Sequence, residues 1–217
     1  MKIPSPPLAA LLSLLLPAFA AAAGHDAPSV SADEALARLK AGNQRFANAS
    51  VSSGKPVGAR RAATAEGQHP FAIIVGCADS RTSPEIVFDQ SIGDLFVIRT
   101  AGNLVDDYAL GSIEYAVAHL GQRLIVVLGH QKCGAVKAAL SGGEAPGHVH
   151  ALVSAIRPAV QAVKGKPGDP LTNAIHANDA LVAEKIRKKA KLGDLASQVR
   201  VVEGCYDLRT GKVDWAK

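Results

Sequence analysis

Three short apolar runs recur along the chain: Phe71-Ala72-Ile73-Ile74-Val75, Leu95-Phe96-Val97-Ile98 and Leu124-Ile125-Val126-Val127-Leu128. Each is continuous rather than alternating, so each reads as a strand buried on both faces, the kind that belongs to a parallel sheet under helices. Segments of helical period at 109–120, 133–141, 148–163 and 172–190 separate or follow them. That alternation predicts an α/β fold with a mostly parallel central sheet covered by helices. Ser31-Ala32-Asp33-Glu34 has capping-box spacing ahead of Leu36, Leu39 and Phe46, which predicts an N-terminal helical arm over 32–48. Val201-Val202, Cys205-Tyr206 and the stretch from Asp207 to Val213 read as a last strand and a C-terminal edge hairpin. Val51 to Gly67, rich in Ser, Gly, Ala and Arg, reads as a connecting loop.

At 217 residues, 48% hydrophobic and 20% charged, the chain suits one core and excludes a disordered or collagen-like polymer. Aromatics are only 4%, too few for a platform that stacks single-stranded nucleic acid. The net charge of +5 is concentrated only at Lys185-Ile186-Arg187-Lys188-Lys189-Ala190-Lys191, which reads as the solvated end of a helix whose dipole favours cations. No nucleic-acid partner is expected. Lys2, the uncharged run from Leu8 to Ala20 and the small residues Ala21-Ala22-Ala23-Gly24 form an export signal over 1–23. Pro6, Pro7 and Pro17 and the shortness of the run speak against a membrane anchor, so no stable membrane insertion is expected after signal cleavage. Residues 24–217 are then expected to form a single domain, periplasmic or secreted. An exported chain can use disulfides, yet its three cysteines, Cys77, Cys133 and Cys205, are an odd number, so at least one thiol has another task.

In open α/β sheets functional groups gather beyond the carboxyl ends of the strands. The first apolar run leads into Gly76-Cys77-Ala78-Asp79-Ser80-Arg81 and the third into Gly129-His130-Gln131-Lys132-Cys133-Gly134. If these strands are neighbours, two thiolates and one imidazole meet. That soft donor set suits Zn2+ and leaves one tetrahedral position free, as catalytic zinc does. Taken singly, the two cysteines would read as small core residues and His130 as a satisfied core histidine; their joint position at two strand ends favours the metal. Asp79 and Arg81, two apart in extended backbone, project the same way and can pair, which keeps the carboxylate ionised.

Cys77-x-Asp79-Ser80-Arg81 followed by His130-x-x-Cys133-Gly134 resembles the β-class carbonic anhydrases. The likeness extends to Glu34 through Asn43, Asp94 through Arg99, Ala101-Gly102-Asn103, Gly111 through Ala116 and Tyr206-x-Leu208-x-Thr210-Gly211. It implies a zinc ion (Zn2+) on Cys77, His130 and Cys133, a catalytic dyad of Asp79 and Arg81, and reversible hydration of CO2 to bicarbonate and a proton by a zinc-bound hydroxide. Gln68 matches a glutamine that hydrogen-bonds substrate across a subunit boundary in plant-type members; Phe96 and Tyr115 match apolar pocket walls, and Gly134 a backbone contact near the substrate. The resemblance also implies self-association as a dimer or tetramer and an open, plant-type site. Members inhibited by bicarbonate at a second site carry tryptophan where this chain has Ile74; Arg99 alone of that set is present, so no such inhibition is expected.

Two thiolates make the bound water less acidic than imidazoles would, so activity is expected to rise through about pH 7 to 9. At lower pH a swinging Asp79 could close the metal. A sulfur analogue of CO2 as substrate, or a redox dithiol without turnover, are the alternatives; the latter has no need of Asp79, Arg81 and Gln68. His69, His148 and His150 are candidate proton shuttles. His119 reads as structural, Cys205 as a buried small side chain, and His176 has no assigned task.

Overall fold

The computed structural model describes residues 30–50 and 57–216. The export signal over 1–23 lies outside the described residues. Five strands, β1 (Ala72–Cys77), β2 (Leu95–Thr100), β3 (Leu124–His130), β4 (Arg200–Tyr206) and β5 (Val213–Trp215), form one sheet in the order β2-β1-β3-β4-β5. Every pairing is parallel except β4 with β5, which is the antiparallel edge hairpin the sequence predicts. The helices are α1 (Ala32–Ala47), α2 (Val57–Ala63), α3 (Pro84–Val87), α4 (Asp107–His119), α5 (Gly134–Ser141), α6 (Val149–Ala162) and α7 (Pro170–Lys189). Among the described residues no helix is long and apolar enough to cross a membrane.

Side chains alternate across each strand, so the two faces have separate cores. Ala72, Ile74, Leu124, Val126 and Leu128 meet Leu36 and Leu39 of α1 on one face. Ile73, Val75, Ile125 and Val127 meet Ile113 and Val117 of α4 and Val182 and Ile186 of α7 on the other. Each fully buried Leu or Ile contributes about 1.5–3 kcal/mol. Ser31 caps α1, its Oγ accepting a hydrogen bond from Glu34 N at 3.2 Å, while the Glu34 carboxylate pairs with Arg38 rather than closing the capping box. Asn43 ties α1 to two other parts of the fold. Its amide donates to the Val87 carbonyl at 3.1 Å and the Gly211 carbonyl at 2.8 Å, while its Oδ1 accepts from Val213 N at 2.8 Å. Gly42 lies so close to α3 that a Cβ there would sit 1.8 Å from the Phe88 carbonyl oxygen.

Two sequence expectations need correction. Residues 57–63, expected to be loop, are helical, although α2 buries none of its residues. Arg60 anchors that helix, donating to the Ile92 carbonyl and pairing with Asp94 at 2.5 Å. The second apolar run, expected to be covered on both faces, is the half-buried edge strand β2, whereas β1 and β3 are buried throughout. The basic block does form the end of α7, with Arg187, Lys188 and Lys189 in its last turn. Lys188 pairs there with Glu184, and Arg187 with Glu203.

Candidate metal centre and active site

Because β1 and β3 are adjacent and parallel, their carboxyl ends lie side by side. Cys77 closes β1, His130 closes β3, and Cys133 is the N-cap of α5. Their donor atoms all lie within 4.8 Å of one another, and all three residues are buried.

The His130 ring is 1% exposed. Its Nδ1 stands 2.9 Å from the Gln131 carbonyl oxygen, which can only accept, so Nδ1 carries the proton. Nε2 is therefore a bare lone pair, buried and without a hydrogen-bond partner. Such an orphan is costly in a dry interior unless an ion takes it. An imidazole fixed through its other nitrogen by a carbonyl is also how metal-binding histidines are oriented. The adjacent Cys133 and His130 and the Asp79 and Gly102 amides lower the Cys77 thiol against the effect of burial, and the adjacent Cys77 and burial raise the Cys133 thiol. Two sulfurs beside an imidazole lone pair make a donor set that a soft or borderline cation would complete. The chemistry of the three residues therefore fits zinc.

Asp79 is gripped by a single neighbour. Arg81 donates Nε to Oδ1 at 2.8 Å, Nη2 to Oδ2 at 2.7 Å and its backbone N to Oδ1 at 3.0 Å. This fork is the main reason the carboxyl is held well below the usual carboxylate range. Asp79 Oδ2 lies 3.8 Å from His130 Nε2, so an ionised oxygen faces the ligand cluster. The backbone of this loop is fixed from two sides. Arg99 donates to the Cys77 carbonyl at 2.8 Å and the Asp79 carbonyl at 2.7 Å, and Thr82 Oγ1 donates to the Asp79 carbonyl at 2.9 Å.

A tight turn at 101–103 supports Cys77. Gly102 N donates to Cys77 Sγ at 3.3 Å, from a residue whose φ of 74° suits glycine. Two buried residues of α7 hold that turn: Asn178 Nδ2 donates to the Gly102 carbonyl at 2.9 Å, and Asn103 Nδ2 donates to Asp179 Oδ1 at 3.1 Å.

The chain brings five of the expected site residues together, Cys77, Asp79, Arg81, His130 and Cys133. Gly134 follows directly as the exposed first residue of α5. Gln68 lies exposed between α2 and β1. Phe96 stands opposite Ile73 in β1, four residues short of Cys77, within the apolar face that meets α4 and α7. Tyr115 is 48% exposed on α4, its ring 5.1 Å from that of His119, which is also exposed rather than enclosed in the core. His69 and His148 are exposed, and His150 meets Ser154 Oγ at 3.2 Å. Sequence reasoning missed the positioning done by Arg99, Thr82, Asn103 and Asn178. A signal for the last existed: Ile175, Val182, Ala183 and Ile186 form a buried helical stripe that Asn178 and Asp179 interrupt.

A family model described as carbonic anhydrase matches residues 72–213. A carbonic anhydrase of Mycolicibacterium smegmatis is 41% identical over 188 residues, covering 81% of this chain and 89% of that protein. Among solved structures, the β-carbonic anhydrase CafA of Aspergillus fumigatus is 25% identical with a TM-score of 0.65, covering 85% of this chain and 90% of that one. A tetrameric β-carbonic anhydrase of Sordaria macrospora matches in fold, with 24% identity, a TM-score of 0.65 and coverage of 73% and 89%.

Proposed function

This chain belongs to the β-class carbonic anhydrases and catalyses the reversible hydration of CO2 to bicarbonate and a proton, and from that premise we propose that Cys77, His130 and Cys133 hold the zinc on which its activity depends. The carrying observation is the buried, unpartnered Nε2 of His130, aimed into a cluster with two thiols. Bound there, zinc lowers the pKa of a water and so supplies a nucleophile near neutrality.

The protein's own groups then decide what that nucleophile does. Asp79, kept anionic by Arg81, accepts the nucleophile's hydrogen bond at Oδ2 and turns its lone pair toward the carbon of CO2. Arg81 keeps that carboxylate from swinging onto the ligand cluster, which is the open, plant-type arrangement. Arg99 and Thr82 lock the backbone that carries Asp79, and the Gly102 amide stabilises the Cys77 thiolate. Gly134 offers a free helix N-terminal amide to the developing bicarbonate. Gln68 reaches the substrate from across a subunit boundary, in a dimer or tetramer, and Phe96 and Tyr115 form apolar walls of the pocket. The exposure of Gln68 and the tetrameric state of the Sordaria macrospora protein support this reading. Residues 24–217 act as a single domain behind an export signal over 1–23, in the periplasm or outside the cell; the sequence of that segment is the support.

Stopped-flow CO2 hydration tests the ligand set. Chelation should abolish the rate, zinc should restore it, and Cys133→Ala should be beyond rescue; full activity in Cys133→Ala would overturn the assignment.

A further inference from the structure

A second group of donors lies on the α7 side of the sheet and shares no residue with the catalytic cluster. His176 and Asp179, three apart on one face of α7, meet Cys205 of β4, and their donor atoms all lie within 4.8 Å of one another. These residues also line a cavity of about 130 Å³, together with Glu203 and Asp214. Cys205 and Asp214 are directly opposed in the β4–β5 pair and so share a face, and Glu203, two residues before Cys205, shares it too.

The telling residue is Asp179, which is 3% exposed. One carboxylate oxygen accepts from Asn103, while Oδ2 is buried with no hydrogen-bond partner. The fold makes room for this oxygen: a Cβ on Gly129 would lie 2.1 Å from it. Leaving a carboxyl oxygen unmatched in such a place is costly, and burial raises both the Asp179 carboxyl and the Cys205 thiol, the latter to about 12. An apolar side chain at 179 would avoid that cost and continue the buried stripe of α7. The carboxylate instead points into a cavity where an imidazole and a thiol converge.

We propose that His176, Asp179 and Cys205 form a second metal site, for a divalent ion of the zinc class, with its fourth position open to Glu203, Asp214 or water. The mixed nitrogen, oxygen and sulfur set selects a borderline ion over Mg2+ or Ca2+, which take oxygen ligands. Such an ion clamps α7 onto β4, and through Asn103 it stiffens the turn beneath Cys77. The proposal stands independently of the catalytic ligand set.

Metal-stripped full-length protein, dialysed to equilibrium against micromolar Zn2+ and counted by mass spectrometry, tests it. Wild type should hold about two equivalents per chain, and His176→Ala and Cys205→Ser about one each, as expected for loss of one ligand of a tetrahedral site. Both variants should keep the catalytic equivalent and still hydrate CO2. His176 is exposed, so its variant keeps the test valid even where Cys205→Ser folds poorly. A wild type with a single equivalent that Cys133→Ala removes, or two equivalents persisting in both variants, overturns the second site. Full hydration by Cys133→Ala would instead sink the catalytic assignment and leave the second site to stand on its own variants.

Discussion

Asp79 draws three hydrogen bonds from one arginine, so its orientation and its charge have the same source. Asp79→Ala should reduce kcat roughly 10–100-fold, the usual cost of losing an outer partner of a metal centre, while zinc content stays at the wild-type level; metal analysis beside stopped-flow rates checks both halves. Arg81→Lys should also impair turnover, since an ammonium cannot fork onto both oxygens. The carboxyl of Asp79 is depressed in the folded state, so the stability it contributes is complete above the ordinary carboxylate pKa of about 3.9 and is lost only as pH falls through the lower folded value. Asp79 is therefore anionic throughout the activity range. The rise in hydration expected between about pH 7 and 9 belongs to the nucleophilic water, and a flat or falling rate over that interval would contradict the mechanism. Cys77, Asp79, Arg81, His130 and Cys133 were legible in the sequence because each sits at or just beyond the end of an apolar run, where local pattern alone fixes position. The unpaired oxygen of Asp179 was not, because the room it occupies is left by Gly129 of β3, far away in sequence.

Helix α1 illustrates two opposing effects at one position. Replacing Gly42 with Ala should stabilise an isolated helix by up to about 1 kcal/mol, yet the new methyl would collide with the Phe88 carbonyl. Backbone cannot step aside as a flexible side chain can, and overpacking typically costs about 1–3 kcal/mol. Gly42→Ala is therefore expected to lower the urea midpoint, and a raised midpoint would show that α1 moves freely over α3. Helix α7 has a comparable duty toward the turn at 101–103. Asn178→Ala would leave the Gly102 carbonyl buried and unpaired, at a cost of about 1–3 kcal/mol, readable as a lower urea midpoint with weakened zinc retention at Cys77. Helices α4 to α7 were legible from their helical period. The short helix α2 was not, since it buries nothing and depends on Arg60 reaching residues 92–94, a contact invisible to local pattern.

On the scale of the whole molecule, a single chain leaves apolar surface uncovered. Tyr108 is 88% exposed, Ile86 61% and Tyr115 48%, and β2 is a half-buried edge. The proposed association of chains would cover such surface and bring Gln68 to the site of a neighbouring chain. Analytical ultracentrifugation should find a dimer or tetramer, with hydration per chain falling on dilution into monomer; a fully active monomer would contradict the assembled pocket. The exposed edge was not legible from composition, because Leu95 to Ile98 is as apolar as the runs that became central strands. The sheet order has its own consequence. β1 and β3 lie side by side, yet β2 and α4 separate them along the chain. A partly emerged or unfolded chain offers an ion only scattered donors, and the three-point grip exists only once that long-range pairing has closed. On the proposed ligand set, the ion would thus be captured where the polypeptide folds rather than where it is synthesised. Because divalent metals differ more in local supply than such a donor set discriminates, the composition of that compartment decides which one is installed.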